Sequence, residues 1–292
     1  MASPRPVQSI AVIGAGFMGR GIAHAAAVGG FRTILEDILP ASLRRAQSEI
    51  RGHLDLDIEA GTLTREQAEA ALGRLEFASS PEDAARAADL VIEAVPEEME
   101  SKLEIFALLD KVCKPDTVIA SNTSSLSITE IASVTYRPRN CVGMHFFHAV
   151  PNMKLLEVVR ALETDDESLA TAVAVGRRMG KEVVVIQESP GFITSRLNAL
   201  IGNEAFFMLQ EGVASAADID KAVRLGLNHP QGPFEMVDQT GLDTRLHVLE
   251  YLHKALGEKY RPAPLLQQYV KAGRLGRKSG RGVYEYPAPE KK

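Results

Sequence analysis

Ser9-Ile10-Ala11-Val12-Ile13-Gly14-Ala15-Gly16-Phe17-Met18-Gly19-Arg20-Gly21-Ile22-Ala23-His24-Ala25-Ala26-Ala27 reads as an apolar strand, a glycine turn and a small-residue helix in direct succession. Three glycines spaced G-x-G-x-x-G are a weak signal alone; between a strand and a helix they acquire a mechanism. Gly14 permits the tight turn, Gly16 lets the backbone approach a pyrophosphate, and Gly19 lets the helix lie close to the strand. Phe17 and Met18 complete the turn, and the helix start offers N–H donors and a positive dipole end to an anion. The next β-type run, Thr33-Ile34-Leu35-Glu36-Asp37, ends on an acid. Asp37 is placed to accept from ribose hydroxyls and to repel a 2′-phosphate, with Glu36 adding to the negative field. The pattern predicts NAD rather than NADP; the competing reading is a glycine-rich turn in another kind of α/β protein.

Outward from this turn, strand-like and helix-like segments alternate to about residue 187, which predicts an α/β fold of Rossmann type with a doubly wound, mainly parallel sheet over 1–187. A helical stretch Ala41–Arg74 breaks at Gly61-Thr62 and restarts at Thr64, where Gln67 completes a capping-box pattern. Asp89–Val95 is almost continuously apolar, as in a strand buried on both faces. Further strands are expected at Leu75–Ala78, Thr117–Ala120, Cys141–Phe147, Lys154–Arg160 and Lys181–Gln187. From residue 188 to 292 the pattern is helical, with stretches at Ile193–Glu211, Ala216–Leu225, Phe234–Leu256 (interrupted near Gly241) and Pro264–Ala272. A short strand is expected at Val283–Tyr286 and a frayed tail from Pro287. The helical region reads as an all-α domain for substrate binding and dimerisation. Excess apolar surface along Ile193–Leu209, with Phe234, Leu246 and Leu249, serves either its own core or a symmetric homodimer interface.

Composition narrows the functional classes. Hydrophobic content of 45% against 24% charged residues in 292 suits a globular chain with a sizeable core. A net charge of −5 gives no basic excess for nucleic acid or an anionic membrane. No apolar run nears the roughly 18 residues of a membrane span. Cys113 and Cys141 each sit in apolar surroundings and read as buried free thiols of a reducing compartment. The first strand begins too near Met1 for a signal peptide, so the expectation is cytoplasmic. The sequence predicts no metal site.

The acid–base groups must name the reaction. His145 lies at the end of an apolar strand run, where open α/β sheets place their ligands. Glu157 interrupts another apolar run, Leu155-Leu156-Glu157-Val158-Val159, and a buried carboxylate needs a partner. Adjacent strands would let the two meet, the carboxylate fixing the imidazole tautomer for proton abstraction; spacing alone leaves that role open. Ser121-Asn122-Thr123-Ser124-Ser125 follows a strand and precedes a helix, so its hydroxyls can cap that helix or hold a substrate oxygen.

In these residues and their order the chain resembles the 3-hydroxyacyl-CoA dehydrogenases, and by length their 3-hydroxybutyryl-CoA branch. The likeness runs from about residue 8 to 286 through Gly14–Gly19, Asp37, Asp89–Val95 with Glu97 and Lys102, and Ser121–Leu126. It continues through Gly143-Met144-His145-Phe146-Phe147, Met153–Val158, Pro190-Gly191-Phe192-Ile193, Gly232-Pro233-Phe234-Glu235 with Asp238, Gly241-Leu242-Asp243 and Arg277–Tyr284. The resemblance implies reversible NAD-dependent oxidation of an (S)-3-hydroxyacyl-CoA to a 3-oxoacyl-CoA. It implies His145 as general base, Glu157 as its orienting carboxylate, and Ser124 on the substrate's 3-oxygen and beside the cofactor. Glu97, Lys102 and Lys278 would line the cofactor site, and a homodimer would be the assembly.

Three departures accompany the likeness. His148-Ala149 stands where the family reads Asn-Pro, so His148 either replaces a contact at the nicotinamide end or points away. Ser195 stands for an Asn and is either a shorter donor to the acyl-CoA or only a helix-start residue. Asp55, Asp57 and Glu59 occupy the stretch where a Ser and a Lys for the CoA phosphates are sought, with Arg44, Arg45 and Arg51 as substitutes that nothing selects among. Two rival readings stay in view: a dehydrogenase of a free hydroxy acid such as L-gulonate, and a non-catalytic NAD-binding structural protein.

Overall fold

A computed structural model of the protein describes residues 2–287, so the expected frayed tail lies outside it beyond Pro287. The chain divides into two compact units, Met1–Ser189 and Pro190–Lys292. The first carries an eight-stranded sheet of β1 (Ser9–Ile13), β2 (Arg32–Glu36), β3 (Leu75–Ala78), β4 (Leu90–Glu93), β5 (Val118–Ser121), β6 (Cys141–Phe146), β7 (Leu155–Arg160) and β8 (Glu182–Gln187). Their order is β3-β2-β1-β4-β5-β6-β7-β8. Chain order reverses between β1 and β4, the crossover at which such sheets bind ligands beyond the strands' carboxyl ends. The pairings are parallel except that of β6 with β7. This is the Rossmann-type sheet that the alternation predicts.

Seven helices cover it: α1 (Phe17–Val28), α2 (Pro40–Glu59), α3 (Arg65–Leu72), α4 (Pro81–Ala85), α5 (Met99–Val112), α6 (Ile128–Ala132) and α7 (Asp166–Arg178). Along β1, Ile10 and Val12 pack into the core under α1, α2, α3 and α7, while Ala11 and Ile13 pack into the core with α4, α5 and α6. Burial on both faces is why the central strands read as continuous apolar runs. The break between α2 and α3 falls where the capping box requires it: Thr64 Oγ1 accepts from Gln67 N, and Gln67 Oε1 accepts from Thr64 N.

The second unit is helical, with α8 (Thr194–Gln210), α9 (Ala216–Gly226), α10 (Pro233–Thr240), α11 (Leu242–Leu256) and α12 (Pro264–Lys271). Gly241, at φ 106, divides α10 from α11, a geometry other residues rarely adopt. Its core holds Phe206, Phe234, Leu249, Leu252, Tyr260 and Leu266. Phe234 and Leu249 are fully buried within this core, one of the two roles the sequence leaves open, whereas Ile193 and Leu197 stay exposed. One expectation needs correction. Val283–Tyr286 forms no strand: only the isolated bridges Gly276↔Arg281 and Arg281↔Glu285 occur there. The buried carboxylate of Asp238 takes backbone donors that a partner strand would take, accepting from Val283 N at 2.8 Å and Tyr284 N at 2.9 Å, and it also accepts from the Tyr286 hydroxyl at 2.9 Å.

Candidate active site

The glycine turn sits at the carboxyl end of β1, beside the crossover. Gly14 has φ 99, and a Cβ on it would lie 2.8 Å from the Ala94 carbonyl oxygen. A Cβ on Gly19 would lie 1.7 Å from the Gly14 carbonyl oxygen, so both glycines are demanded by the fold itself. Gly16 differs: beyond its own chain neighbours, a Cβ there would meet nothing within 4 Å. The protein's own packing does not ask for glycine at the mouth of α1, whereas a pyrophosphate drawn against that helix start would. The residues present therefore fit a dinucleotide.

Asp37 follows β2 and bends back over the turn, accepting from Ala15 N at 3.0 Å and Leu39 N at 2.9 Å. Its carboxylate is thus held at the turn's rim. Glu36, one residue earlier, is 2% exposed, and its Oε1 has no hydrogen-bond partner. Burial, with the charge of Asp37 beside it, pushes Glu36 up to about 7. The expected joint negative field is therefore chiefly that of Asp37 near neutral pH.

A second cluster hangs on the ends of β4 and β5. Lys102, 1% exposed on α5, reaches Glu93 Oε1 at 2.8 Å and Glu97 Oε2 at 3.3 Å. Glu93 also accepts from Val95 N at 2.8 Å and the Ser121 hydroxyl at 2.6 Å. Glu97 accepts from the Thr123 hydroxyl at 2.7 Å, Ser124 N at 2.8 Å and the Ser124 hydroxyl at 3.1 Å. Burial would raise both acids. It prevails at Glu93, whereas Lys102 and the Thr123 and Ser124 donors outweigh it and hold Glu97 low. Lys102 and Glu97 thereby fix the loop that presents Ser124. Asn122 ties that loop to β6 by accepting from Phe146 N at 2.9 Å.

His145 is on β6, in register with Glu157 on β7. The antiparallel pairing, the exception in this sheet, sets the two side chains on one face. His145 Nδ1 lies 2.7 Å from Glu157 Oε2, with the two residues 5% and 1% exposed. A carboxylate accepts only, so Nδ1 carries the hydrogen and the basic lone pair is on Nε2. The arrangement can take a proton at Nε2 and hold the resulting imidazolium. His148, beyond the strand, stacks on Phe17 of the glycine turn at 4.3 Å between ring centroids.

The structure thus brings together Gly14–Gly19 with Asp37, Phe17 with His148, Glu97 with Lys102 and Ser124, and His145 with Glu157. Met18 is half-buried on α1. Lys278 and Ser195 belong to the second unit. Lys278 pairs with Asp243 at 2.6 Å. Ser195 is the second residue of α8, half-buried, and does not cap it. Of the acids near the end of α2, Asp57 has a protein neighbour: its Oδ2 lies 3.1 Å from Nε2 of buried His24, without hydrogen-bond alignment. Burial, only partly opposed by Asp57, pushes His24 down to about 4. Arg44, Arg45 and Arg51 are exposed.

Sequence reasoning missed Glu93 and Lys181. Glu93 carried the same signal as Glu157, an acid within an apolar strand. Lys181, 7% exposed, donates to the carbonyls of Val150 and Met153 and pins the loop after His148; a lone lysine at a strand start carried no such signal.

A dinucleotide turn at the crossover of a doubly wound sheet, with a buried imidazole–carboxylate pair at the same edge, defines an NAD-dependent dehydrogenase. Comparison with known proteins agrees. Residues 9–189 match the family model "3-hydroxyacyl-CoA dehydrogenase, NAD binding domain", and residues 191–286 match "3-hydroxyacyl-CoA dehydrogenase, C-terminal domain". The chain belongs to the 3-hydroxyacyl-CoA dehydrogenase family. It is 46% identical over 281 residues to the probable 3-hydroxybutyryl-CoA dehydrogenase of Bacillus subtilis, covering 96% of this chain and 98% of that one. To the 3-hydroxybutyryl-CoA dehydrogenase of Bradyrhizobium diazoefficiens it is 43% identical, covering 96% of each. The crystal structure of (S)-3-hydroxybutyryl-CoA dehydrogenase from Ralstonia eutropha superposes with a TM-score of 0.93 at 42% identity, over 97% of this chain and 100% of that one. No helix among the described residues is long and apolar enough to cross a membrane.

Proposed function

We propose that the protein catalyses the reversible oxidation of a short-chain (S)-3-hydroxyacyl-CoA, 3-hydroxybutyryl-CoA in the first instance, to the 3-oxoacyl-CoA. The observation that carries this reading is the 2.7 Å contact between His145 and Glu157, both buried at the sheet's ligand edge, in a chain of this family. Bound NAD⁺ supplies the acceptor for the hydride that leaves C3. His145 Nε2 takes the proton of the 3-hydroxyl, and Glu157 stabilises the imidazolium that forms. Ser124, whose backbone N–H is held by Glu97, would redirect its one hydroxyl hydrogen from Glu97 to the oxygen as it becomes a carbonyl; in the reverse direction the imidazolium returns the proton. Gly16 and the start of α1 would hold the pyrophosphate, and Asp37, at the turn's rim, would accept from the ribose hydroxyls. Lys278 and Ser195 are assigned to the cofactor and acyl-CoA respectively on family resemblance.

We assign residues 1–187 to cofactor binding and 188–292 to substrate binding and homodimer formation, with exposed Ile193 and Leu197 in the interface. The two buried thiols, pushed up to about 11 at Cys113 and about 12 at Cys141 by burial, fit a reducing cytoplasm. One assay tests the substrate reading: NADH consumption with acetoacetyl-CoA, beside free acetoacetate and a sugar acid. Turnover confined to the thioester supports it; comparable turnover of a free acid moves the protein to the rival dehydrogenase class. Absence of turnover with all three, in folded protein that binds NADH, leaves the structural reading. Light scattering that reports a monomer at micromolar concentration sinks the dimer.

A further inference from the structure

His148 and Ala149 replace the family's Asn-Pro, and the structure gives that replacement a physical content. The His148 and Phe17 rings lie 4.3 Å apart and within 9° of parallel. Phe17 is the first residue of α1, within the glycine turn, and is 45% exposed. Arg20 lies over the same phenyl ring at 5.1 Å, itself held by Glu49 at 2.6 Å. Ala149 has φ 60, a left-handed backbone that costs a Cβ-bearing residue energy and that a proline ring, locked near −65°, cannot adopt. The path that turns His148 onto Phe17 is therefore closed to the family's own residue.

Surroundings hold this strained path in place. Asn152 N and Met153 N both donate to the Ala149 carbonyl. Lys181 donates to the Val150 and Met153 carbonyls. Val150 is 1% exposed, and a Cβ on Gly21 of α1 would lie 2.9 Å from its Cβ, so the loop is pressed against the helix. A strained residue fixed from several sides at a ligand edge marks a preorganised element.

We propose that His148 is a positioning residue for the dinucleotide: stacked on Phe17, it fixes the turn that receives the pyrophosphate and ties it to the loop leaving His145. This rests on the assignment of Gly14–Gly19 as the pyrophosphate seat. The stack spans two segments distant in sequence, and its loss frees the side chain at the first position of α1. The turn must then be ordered by the ligand, at the expense of affinity.

The test is NADH binding to the full-length protein, followed by the coenzyme's own fluorescence. His148→Ala and Phe17→Ala are each expected to weaken binding by about two- to tenfold, the span an aromatic pair supplies. The double variant should be no weaker than the worse single one, because both remove one contact. His148→Phe should restore binding, and His148→Asn should not. The loss should appear in the KM for NADH, and a fall confined to kcat with acetoacetyl-CoA overturns the proposal. Unchanged or tighter binding in His148→Ala, additive losses in the double variant, or failure of phenylalanine to rescue overturns the proposal. Gly16→Ala separates the two levels. If it binds NADH like the wild type, the seat is wrongly assigned and the stack falls with it. If it abolishes binding while His148→Ala does nothing, only the stack is refuted.

Discussion

Glu36→Gln probes the rim of the cofactor site through a group whose ionisation the fold opposes. Glu36 is 2% exposed, one of its oxygens has no hydrogen-bond partner, and Asp37 follows it directly. Burial first, and Asp37 second, push it from the ordinary 4.5 to about 7, against partial relief from the Gly14 N–H. The folded state therefore binds this proton more tightly than the unfolded chain. On Glu36's account stability is highest below about pH 4.5 and is lost as the pH rises through about 7. Raising the pKa that far costs the charged form about 3 kcal/mol at pH 8, of which about 1 kcal/mol is already present at pH 5. Glutamine matches the shape without ionising. Its own burial cost is the same at both pH values and cancels when they are compared. Urea unfolding of wild type and variant at pH 5 and pH 8 should show the variant gaining about 2–3 kcal/mol relative to wild type between the two. A difference that is the same at both pH values refutes the reasoning, and Glu36 is then ionised at no cost.

The remaining expectations concern the site's other parts. Gly16→Ala should leave the melting temperature within a degree or two while NADH binding collapses, because nothing beyond its own chain neighbours approaches a Cβ there; Gly19→Ala should destabilise the fold outright, read by circular dichroism. His145→Gln should cut turnover about 10²–10⁴-fold with NADH affinity nearly intact, and near-normal turnover would remove it as the base. Lys102→Met strands Glu93 and Glu97 without their shared cation and should cost about 3–5 kcal/mol in denaturant unfolding; adding Glu93→Gln should recover part of the loss, and no recovery would mean the pair was not the cause. Ser195→Asn should fold normally and change kinetics with acetoacetyl-CoA more than NADH affinity; Ser195→Ala should weaken substrate use by the roughly 0.5–1.5 kcal/mol of one neutral hydrogen bond, and if neither variant alters those kinetics the residue belongs to α8 alone.

Local sequence determined what depends on neighbours along the chain. The glycine turn, the continuous apolar runs, the capping box at Thr64 and the break at Gly241 each need only a few adjacent residues to be read, because backbone sterics and hydrogen bonding act over that range. The His145–Glu157 pair was legible as a need: an acid in an apolar run wants a partner. That the need is met twelve residues away depends on β6 and β7 running antiparallel in one register. The same signal at Glu93 passed unread, since its partner Lys102 sits on a helix face that only packing turns inward. Val283–Tyr286 reads as a short strand by its own residues, yet Asp238, far along the chain, takes the Val283 and Tyr284 donors. The Phe17–His148 stack and the Lys181 clamp had no local trace, and the raised pKa of Glu36 had only the adjacent Asp37, the smaller of its causes. They arise from through-space contact and exclusion of water, and these exist only once distant segments have packed against one another.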